Sequence, residues 1–275
     1  MWTLSGFGDE IDPEPEVHLP VLASEGIRYL DLRAAWGTNV LALSDDQLTR
    51  LAILLADHGV QVSAVASPLG KSPIGEAVGP TLDGLRRALD VAEMFGAPFV
   101  RVFSFYPPAG EDPERSRSEV IDRLGRMARE AEAADRTLLH ENEKGIYGDT
   151  PARCLDLLAS VDSPRLRAAW DPANFVQVGV RPFADGFAAL RPFVAYVHVK
   201  DALLETGEVV PAGEGDGEWR PTLAALKESG YDGFFSLEPH LKAAGPSSGF
   251  SGPDLFRTAA GALQGLLREQ GIAWA

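Results

Sequence analysis

The sequence predicts an α/β fold in which eight parallel strands alternate with helices and close into a barrel. Short apolar runs recur along the whole chain, and between them lie amphipathic segments with helix caps. No linker, low-complexity stretch or charge block divides the chain. Strands separated by helices pair in parallel through right-handed crossovers. Eight such units in 275 residues match a single-domain (β/α)8 TIM barrel over residues 1–275 better than an open sheet.

The helices between the runs carry start and stop signals. Residues 44–58 open with a serine cap and an acidic first turn and stop at Gly59, and residues 81–95 repeat this design. Gly26 and Gly230 also follow helical segments, because glycine adopts the left-handed conformation that ends a helix. The predicted strands cover residues 2–7, 27–33, 60–67, 98–105, 136–142, 166–171, 194–200 and 233–238. The loops predicted to form the rim or a lid are 106–113, 211–221 and 243–253.

Composition and charge limit the classes of function. The formal charge of −15 argues against non-specific nucleic-acid binding, which requires Lys and Arg to neutralise phosphates. The single cysteine, Cys154, excludes an internal disulfide. Acidic residues crowd the first twenty positions, unlike a signal peptide, and no apolar run reaches the roughly 18 residues of a membrane span. We expect a cytoplasmic monomer or homo-oligomer without nucleic-acid or membrane partners.

Four polar residues end the apolar runs of strands five to eight: Glu141, Asp171, His198 and Glu238. The C-terminal ends of parallel barrel strands open into one mouth, so these side chains are expected to converge there. Three carboxylates brought together repel one another unless a cation joins them. The sequence therefore predicts one divalent metal ion, and this donor set favours Mn²⁺, Mg²⁺, Co²⁺ or Zn²⁺ over thiophilic metals.

Several stretches of the chain resemble the xylose isomerase-like TIM barrels, which comprise sugar isomerases and epimerases, inosose dehydratases and the endonuclease IV group. The resemblance covers nearly the entire chain. It is specific in the last four units, where the family's ligand set maps onto Glu141, Asp171, His198 and Glu238. Mn²⁺ is then the expected ion, and a sugar or polyol the expected partner. The matching stretches are 139–142, 170–174, 197–201, 213–215 and 230–239.

Departures from the family argue against two of its branches. The endonuclease branch uses three metals with additional histidine ligands, but this chain has five histidines and carries Asn174 three residues after Asp171. The ketohexose 3-epimerases also usually carry histidine at the position of Asn174. A hydride-shift isomerase with two metals requires a second cluster of carboxylates and histidine, and the sequence shows none after strand eight.

Three residues are candidates for catalysis. By resemblance to the epimerases, Glu141 and Glu238 form an acid/base pair that moves a proton at a carbon beside a carbonyl; the alternative is that both only bind metal. Lys200 lies two residues after His198 and faces the same side of its strand. It either stabilises an enediolate or forms a salt bridge to a ligand carboxylate or to Asp201.

The candidates for substrate binding lie at or just after strand ends. Structural pairing is an equal alternative for the two arginines among them. No glycine-rich phosphate-binding fingerprint is present, so the phosphorylation of the substrate stays open. Glu10 is expected to be solvated or to cap a helix, and the alternative is a base near the mouth. The substrate-binding candidates are Arg33, Trp36, Ser67, Lys71, Arg101, Asn174 and His240.

These features predict a metal-dependent sugar isomerase or epimerase that acts on a ketose or a related polyhydroxylated carbonyl compound through an enediolate. A lyase shares this opening step and ends in dehydration or glycoside-type elimination, so it remains the first alternative. A barrel that binds a sugar without catalysis is the second.

Overall fold

Eight parallel strands form a closed barrel. The structure, a computed structural model, describes residues 1–244 and 249–275. Each barrel strand pairs with the next along the chain, and the last strand pairs with the first. The strands are β1 Thr3–Phe7, β2 Tyr29–Leu32, β3 Gln61–Val65, β4 Phe99–Val102, β5 Thr137–Glu141, β6 Leu166–Trp170, β7 Val194–Val199 and β8 Phe234–Leu237.

Helices cover the outside of the barrel. They are α1 Pro15–Ser24, α2 Asp45–His58, α3 Gly79–Phe95, α4 Arg117–Ala133, α5 Pro151–Val161, α6 Pro172–Val176, α7 Ala188–Leu190, α8 Trp219–Glu228 and α9 Pro253–Glu269. Short two-stranded hairpins decorate the C-terminal face of the barrel. Within the described ranges, no helix has both the length and the apolar character that a membrane span requires.

The predicted fold is confirmed, and each observed strand lies within its predicted run. Ser44 caps α2 and exchanges hydrogen bonds with Gln47, and Gly59 ends the helix at φ 62°. The predicted start of the next helix is wrong, because α3 begins at Gly79 rather than at Thr81, without a side-chain cap. Of the predicted loop 243–253, residues 245–248 lie outside the described residues.

A polar layer crosses the barrel interior below the mouth. Oδ2 of Asp31 accepts hydrogen bonds from the hydroxyls of Ser5 and Tyr196 at 2.6 Å and of Ser236 at 2.5 Å, and Ser63 lies 3.1 Å away. All five residues are buried and come from different strands. Alternate residues of a strand face the same side. His198 and Glu238, two residues after Tyr196 and Ser236, are therefore the next inward-facing residues on these strands, at the mouth.

Candidate metal centre

The structure brings the four predicted ligands together at the C-terminal end of the barrel. Glu141 is the last residue of β5, His198 lies in β7, and Asp171 and Glu238 directly follow β6 and β8. One ligand atom from each lies within 4.8 Å of the others. None of the four side chains is more than 4% exposed. We call these residues the quartet.

The side chains of the quartet make short polar contacts with one another and with Lys200. Nδ1 of His198 lies 3.3 Å from Oε1 of Glu141 and 3.5 Å from Oε2 of Glu238. Nζ of Lys200 lies 2.8 Å from Oδ2 of Asp171 and 3.5 Å from Oε2 of Glu238. The predicted salt bridge between Lys200 and a ligand carboxylate is therefore present.

Burial and neighbouring charges shift the pKa values of the three carboxylates of the quartet in opposite directions. Burial raises the pKa of Glu141, but His198 and Arg101 outweigh it and lower that pKa to about 2. Burial likewise opposes Lys200 and His240 at Glu238, whose pKa falls well below its usual value. For Asp171 burial dominates the attraction of Lys200, and its pKa rises to about 6. These cations stabilise the ionised forms of both glutamates.

Two asparagines fix the orientation of the carboxylates at β5 and β6. Asp171 caps the short helix α6 by accepting the N–H of Asn174 at 2.9 Å. The amide of Asn174 donates to Oε1 of Glu141 at 3.2 Å. Asn142 exchanges two hydrogen bonds with the backbone of Asp171, at 2.8 and 3.0 Å. Asn174 thus contacts the ligands themselves, which limits their freedom to rotate.

Two buried arginines flank the quartet. Nη1 of Arg101 lies 3.0 Å from Oε2 of Glu141 and 3.4 Å from Oε1 of Glu238. Ser67 supports Arg101, since its hydroxyl donates to the Arg101 carbonyl at 2.5 Å. Nη1 of Arg33 lies 3.1 Å from Oε1 of Glu238, and Nε lies 2.7 Å from Asp9. Structural pairing of both arginines is therefore observed, within contact of the quartet.

The residues present fit a divalent ion. Carboxylate oxygens and an imidazole nitrogen are the donors that Mn²⁺, Mg²⁺ and Zn²⁺ accept in proteins. Oδ2 of Asp171 and Nδ1 of His198 are fully buried, and neither makes a well-aligned hydrogen bond to a described residue. Buried polar atoms are rarely left in this state without a further partner.

Comparison with known proteins identifies the family of the chain. The family model described as xylose isomerase-like TIM barrel matches residues 19–264. The chain belongs to this family. It is 32% identical over 196 residues to a 2-epi-5-epi-valiolone 7-phosphate 2-epimerase of an Actinoplanes strain, an alignment that covers 70% of each protein.

Solved structures of the same fold include an epimerase-like protein and a dehydratase. A D-tagatose 3-epimerase-like protein superimposes with a TM-score of 0.78 at 18% identity, covering 98% of both chains. A probable 3-DHS dehydratase from Bacillus anthracis gives a TM-score of 0.74 at 18% identity, covering 96% of this chain and 99% of that one. At this level of identity the likeness shows the fold of the barrel.

Two of the predicted substrate-binding residues of this xylose isomerase-like barrel make their contacts away from the quartet. Nζ of Lys71 lies 2.8 Å from Glu143 and stacks over Phe103. The indole of Trp36 donates to Glu16 of α1, and Arg50 of α2 stacks on its ring. The contacts of Trp36 therefore run toward the helices, and a substrate role for either residue stays a prediction.

A second cluster corrects two expectations about this barrel. Glu10, Glu238 and His240 form another group whose ligand atoms lie within 4.8 Å of one another. The expectation that no such cluster follows strand eight is wrong, because closure places β1 beside β8 and brings Glu10 to His240. The expectation that Glu10 is solvated or caps a helix is also wrong, since Glu10 is fully buried.

The segment 211–218 of the barrel is held by a residue that sequence reasoning treated only as a partner for Lys200. The carboxylate of Asp201 accepts backbone N–H groups from Gly213, Gly215 and Gly217 at 2.7–3.1 Å. A Cβ at Gly215 or Gly217 would collide with this carboxylate. Glycines at alternate positions of 213–217 were the signal that this loop wraps an acceptor.

Proposed function

We propose that the protein is a divalent-metal-dependent isomerase or epimerase acting on a ketose or a related polyhydroxylated carbonyl compound. The observation that carries the proposal is the convergence of Glu141, Asp171, His198 and Glu238 within 4.8 Å at the C-terminal mouth. Active sites of TIM barrels lie at this mouth. The similarity to a named epimerase supports the same reaction class.

The charges around the mouth favour a single divalent ion. Around the mouth, carboxylates outnumber Arg and Lys side chains by five to three. One divalent ion compensates this excess of two negative charges, and a histidine that binds the ion is neutral. A neutral sugar adds no charge until a proton is removed. The groups counted are Asp9, Glu10, Glu141, Asp171 and Glu238 against Arg33, Arg101 and Lys200.

Glu141 and Glu238 are proposed to move the proton. A divalent ion held by the quartet supplies electrostatic stabilisation for negative charge on substrate oxygens. Both carboxylates are ionised at neutral pH and can accept a proton. Arg101 and Lys200 contact the same carboxylates and would stabilise negative charge that develops on the substrate oxygens.

The remaining polar residues are proposed to hold the substrate. Arg33 and Arg101 face the quartet directly, and Asn174 and His240 contact its glutamates. Ser67 acts by orienting Arg101. Lys71 and Trp36 would contact only the outer part of a long substrate.

The decisive experiment combines metal content with solvent exchange. We expect about one divalent ion per chain by elemental analysis, and exchange of C–H protons of ketoses or inososes in D₂O by ¹H NMR. Glu141→Gln and Glu238→Gln should each weaken metal binding about tenfold or more and reduce exchange at least about 100-fold. Glu269→Gln, which removes an exposed carboxylate paired with Arg220 in the outer helices, is the matched control.

Each alternative has its own outcome. A product lighter by one water would assign a dehydratase that uses the same opening step. Sugar binding without exchange would assign a non-catalytic barrel. No bound ion after addition of Mn²⁺, Mg²⁺, Co²⁺ or Zn²⁺ would overturn the proposal, and exchange retained in Glu238→Gln would remove Glu238 from the mechanism.

A further inference from the structure

Glu10 and His240 form a buried pair beside the quartet. Nε2 of His240 lies 2.8 Å from Oε1 of Glu10. The other oxygen of Glu10 accepts the backbone N–H of His240 and the hydroxyl of Ser251, both at 3.1 Å. The carboxylate thus contacts both the ring and the backbone of the same histidine, which fixes its position from two sides.

The chain around His240 is shaped to accept the imidazole. His240 has φ 49°, in the left-handed region that costs a non-glycine residue energy. The ring lies against Gly249, where a Cβ would overlap it. The backbone carbonyl of Glu10 also accepts the N–H groups of Ser251 and Gly252, at 2.8 and 2.9 Å. A strained backbone held by several hydrogen bonds indicates that the position of this ring matters for function.

A second metal ion does not explain the pair. Arg33 already contacts both carboxylates that such an ion would bind: Nη2 lies 3.5 Å from Oε1 of Glu10, and Nη1 lies 3.1 Å from Oε1 of Glu238. A divalent ion placed between Glu10, Glu238 and His240 would be repelled by this buried guanidinium. It would also give the mouth an excess of positive charge once the quartet holds its own ion.

One edge of the imidazole remains available to a ligand. Nε2 faces Glu10, so Nδ1, on the opposite edge of the ring, is the nitrogen left for a ligand. No hydrogen bond joins Nδ1 of His240 to another residue of the ranges 1–244 and 249–275. The side chain is 15% exposed, in contrast to the fully buried Glu10. His240 therefore reaches the open part of the mouth, next to Glu238 of the quartet.

We propose that His240 binds a substrate hydroxyl beyond the carbonyl and its neighbouring hydroxyl, and that Glu10 is the positioning residue that fixes the ring for this contact. This inference rests on the proposed function and narrows its substrate class to carbonyl compounds with a hydroxylated chain longer than that of dihydroxyacetone. Nδ1 exchanges a hydrogen bond with the hydroxyl, which can donate or accept, and no covalent bond is made or broken at the ring.

The test compares two kinds of probe that share a hydroxyketone group. Dihydroxyacetone lacks the further hydroxyls, whereas D-tagatose and D-fructose carry them. We expect His240→Phe, which keeps a planar ring without nitrogen, to lower the ratio of ketohexose to dihydroxyacetone exchange in D₂O about three- to tenfold, the range of one hydrogen bond. His58→Phe, at the end of α2 on the outside of the barrel, is the matched control for handling and metal loading.

A double-mutant cycle tests the role of Glu10. Glu10→Ala should lower the same ratio, and the double variant with His240→Phe should lower it no further, because Glu10 acts through His240. Glu10→Gln keeps an acceptor and should lose less. An unchanged ratio in His240→Phe, additive effects in the cycle, or two ions bound per chain would overturn the inference.

A spectroscopic measurement separates this inference from the proposed function. In ¹⁵N-histidine spectra of the metal-loaded protein, we expect the Nδ1 signal of His240, identified by its loss in His240→Phe, to shift when D-tagatose or D-fructose is added and to shift less with dihydroxyacetone. Glu10→Ala should reduce this shift. An unshifted signal with a ketohexose bound would overturn the inference, whereas the absence of exchange with every probe would overturn the proposed function alone.

Discussion

Nζ of Lys200 lies 2.8 Å from Oδ2 of Asp171, and both groups are buried in the barrel mouth. The same ammonium lies 3.5 Å from Oε2 of Glu238. Lys200 therefore compensates, in the metal-free quartet, part of the negative charge that a divalent ion would otherwise compensate. A buried cation this close to two ligands competes with the ion for them.

Replacement of Lys200 should separate metal binding from catalysis. Lys200→Met removes the competing charge, so we expect Mn²⁺ or Mg²⁺ to bind about tenfold more tightly, equivalent to about 1.4 kcal/mol. Proton exchange should fall about 100-fold, because the variant also lacks the cation proposed to stabilise the enediolate. Titration calorimetry and NMR exchange measure the two effects. Weaker metal binding in Lys200→Met would contradict this, and Lys227→Met, in α8 with its ammonium on the carbonyl of Gln270, is the matched control.

Gly249 should not tolerate a side chain. A Cβ there overlaps the ring of His240, so Gly249→Ala should lower the free energy of unfolding by about 1–3 kcal/mol, as overpacking does. Gly265→Ala, on an exposed turn of α9 with open space around it, should instead raise that free energy by about 0.5–1 kcal/mol. Urea unfolding measures the free energy of unfolding of both variants. Equal values for the two would show that the ring of His240 moves aside for the added methyl group.

The hydroxyl of Tyr196 should contribute to stability through Asp31. It donates to Oδ2 of Asp31 at 2.6 Å inside the barrel. Tyr196→Phe leaves that carboxylate short of one donor, and we expect a loss of about 1–3 kcal/mol in the free energy of unfolding. Tyr29→Phe is the matched control, because the Tyr29 hydroxyl makes no hydrogen bond to the described part of the chain. A loss below about 0.5 kcal/mol in Tyr196→Phe would mean that the other hydroxyls of the polar layer rearrange to satisfy Asp31.

His18 should make the protein sensitive to acid. Burial lowers the pKa of His18 from 6.5, against the attraction of the Asp12 carbonyl and nearby carboxylates. Below about pH 6.5 the unfolded chain binds a proton that the folded chain does not, so the free energy of unfolding falls with pH until the folded pKa is reached. Urea unfolding at about pH 7.5 and about pH 5 should give a smaller difference in the free energy of unfolding between the two pH values for His18→Leu than for wild type. The same difference in both would exclude His18 as a cause, and His58→Gln serves as the surface control.

Local patterns were sufficient to predict the fold and the quartet. Alternating strand and helix signals specify a parallel barrel, and a ligand at the end of each of four successive strands needs only that topology to converge. Glu141, Asp171, His198 and Glu238 could therefore be identified from their positions alone. Asn174 was identified through the family resemblance, as the residue at a position where the ketohexose 3-epimerases usually carry histidine.

Contacts across the closed barrel could not be predicted in this way. Glu10 and His240 are 230 positions apart, and only closure of β1 against β8 brings them together. The contacts of Trp36 run to α1 and α2, where they depend on how the loop after β2 leaves the barrel.

The sequence by itself determined the order of strands and helices, the donor chemistry of the quartet and the end of the barrel at which it lies, because these depend on periodicity and on residues close in the chain. The tertiary structure decided which charges meet: Lys200 with Asp171, Arg101 with both glutamates, and Glu10 with His240. Such pairings depend on strand register and barrel closure, and long-range geometry of this kind leaves no periodic signal in the chain.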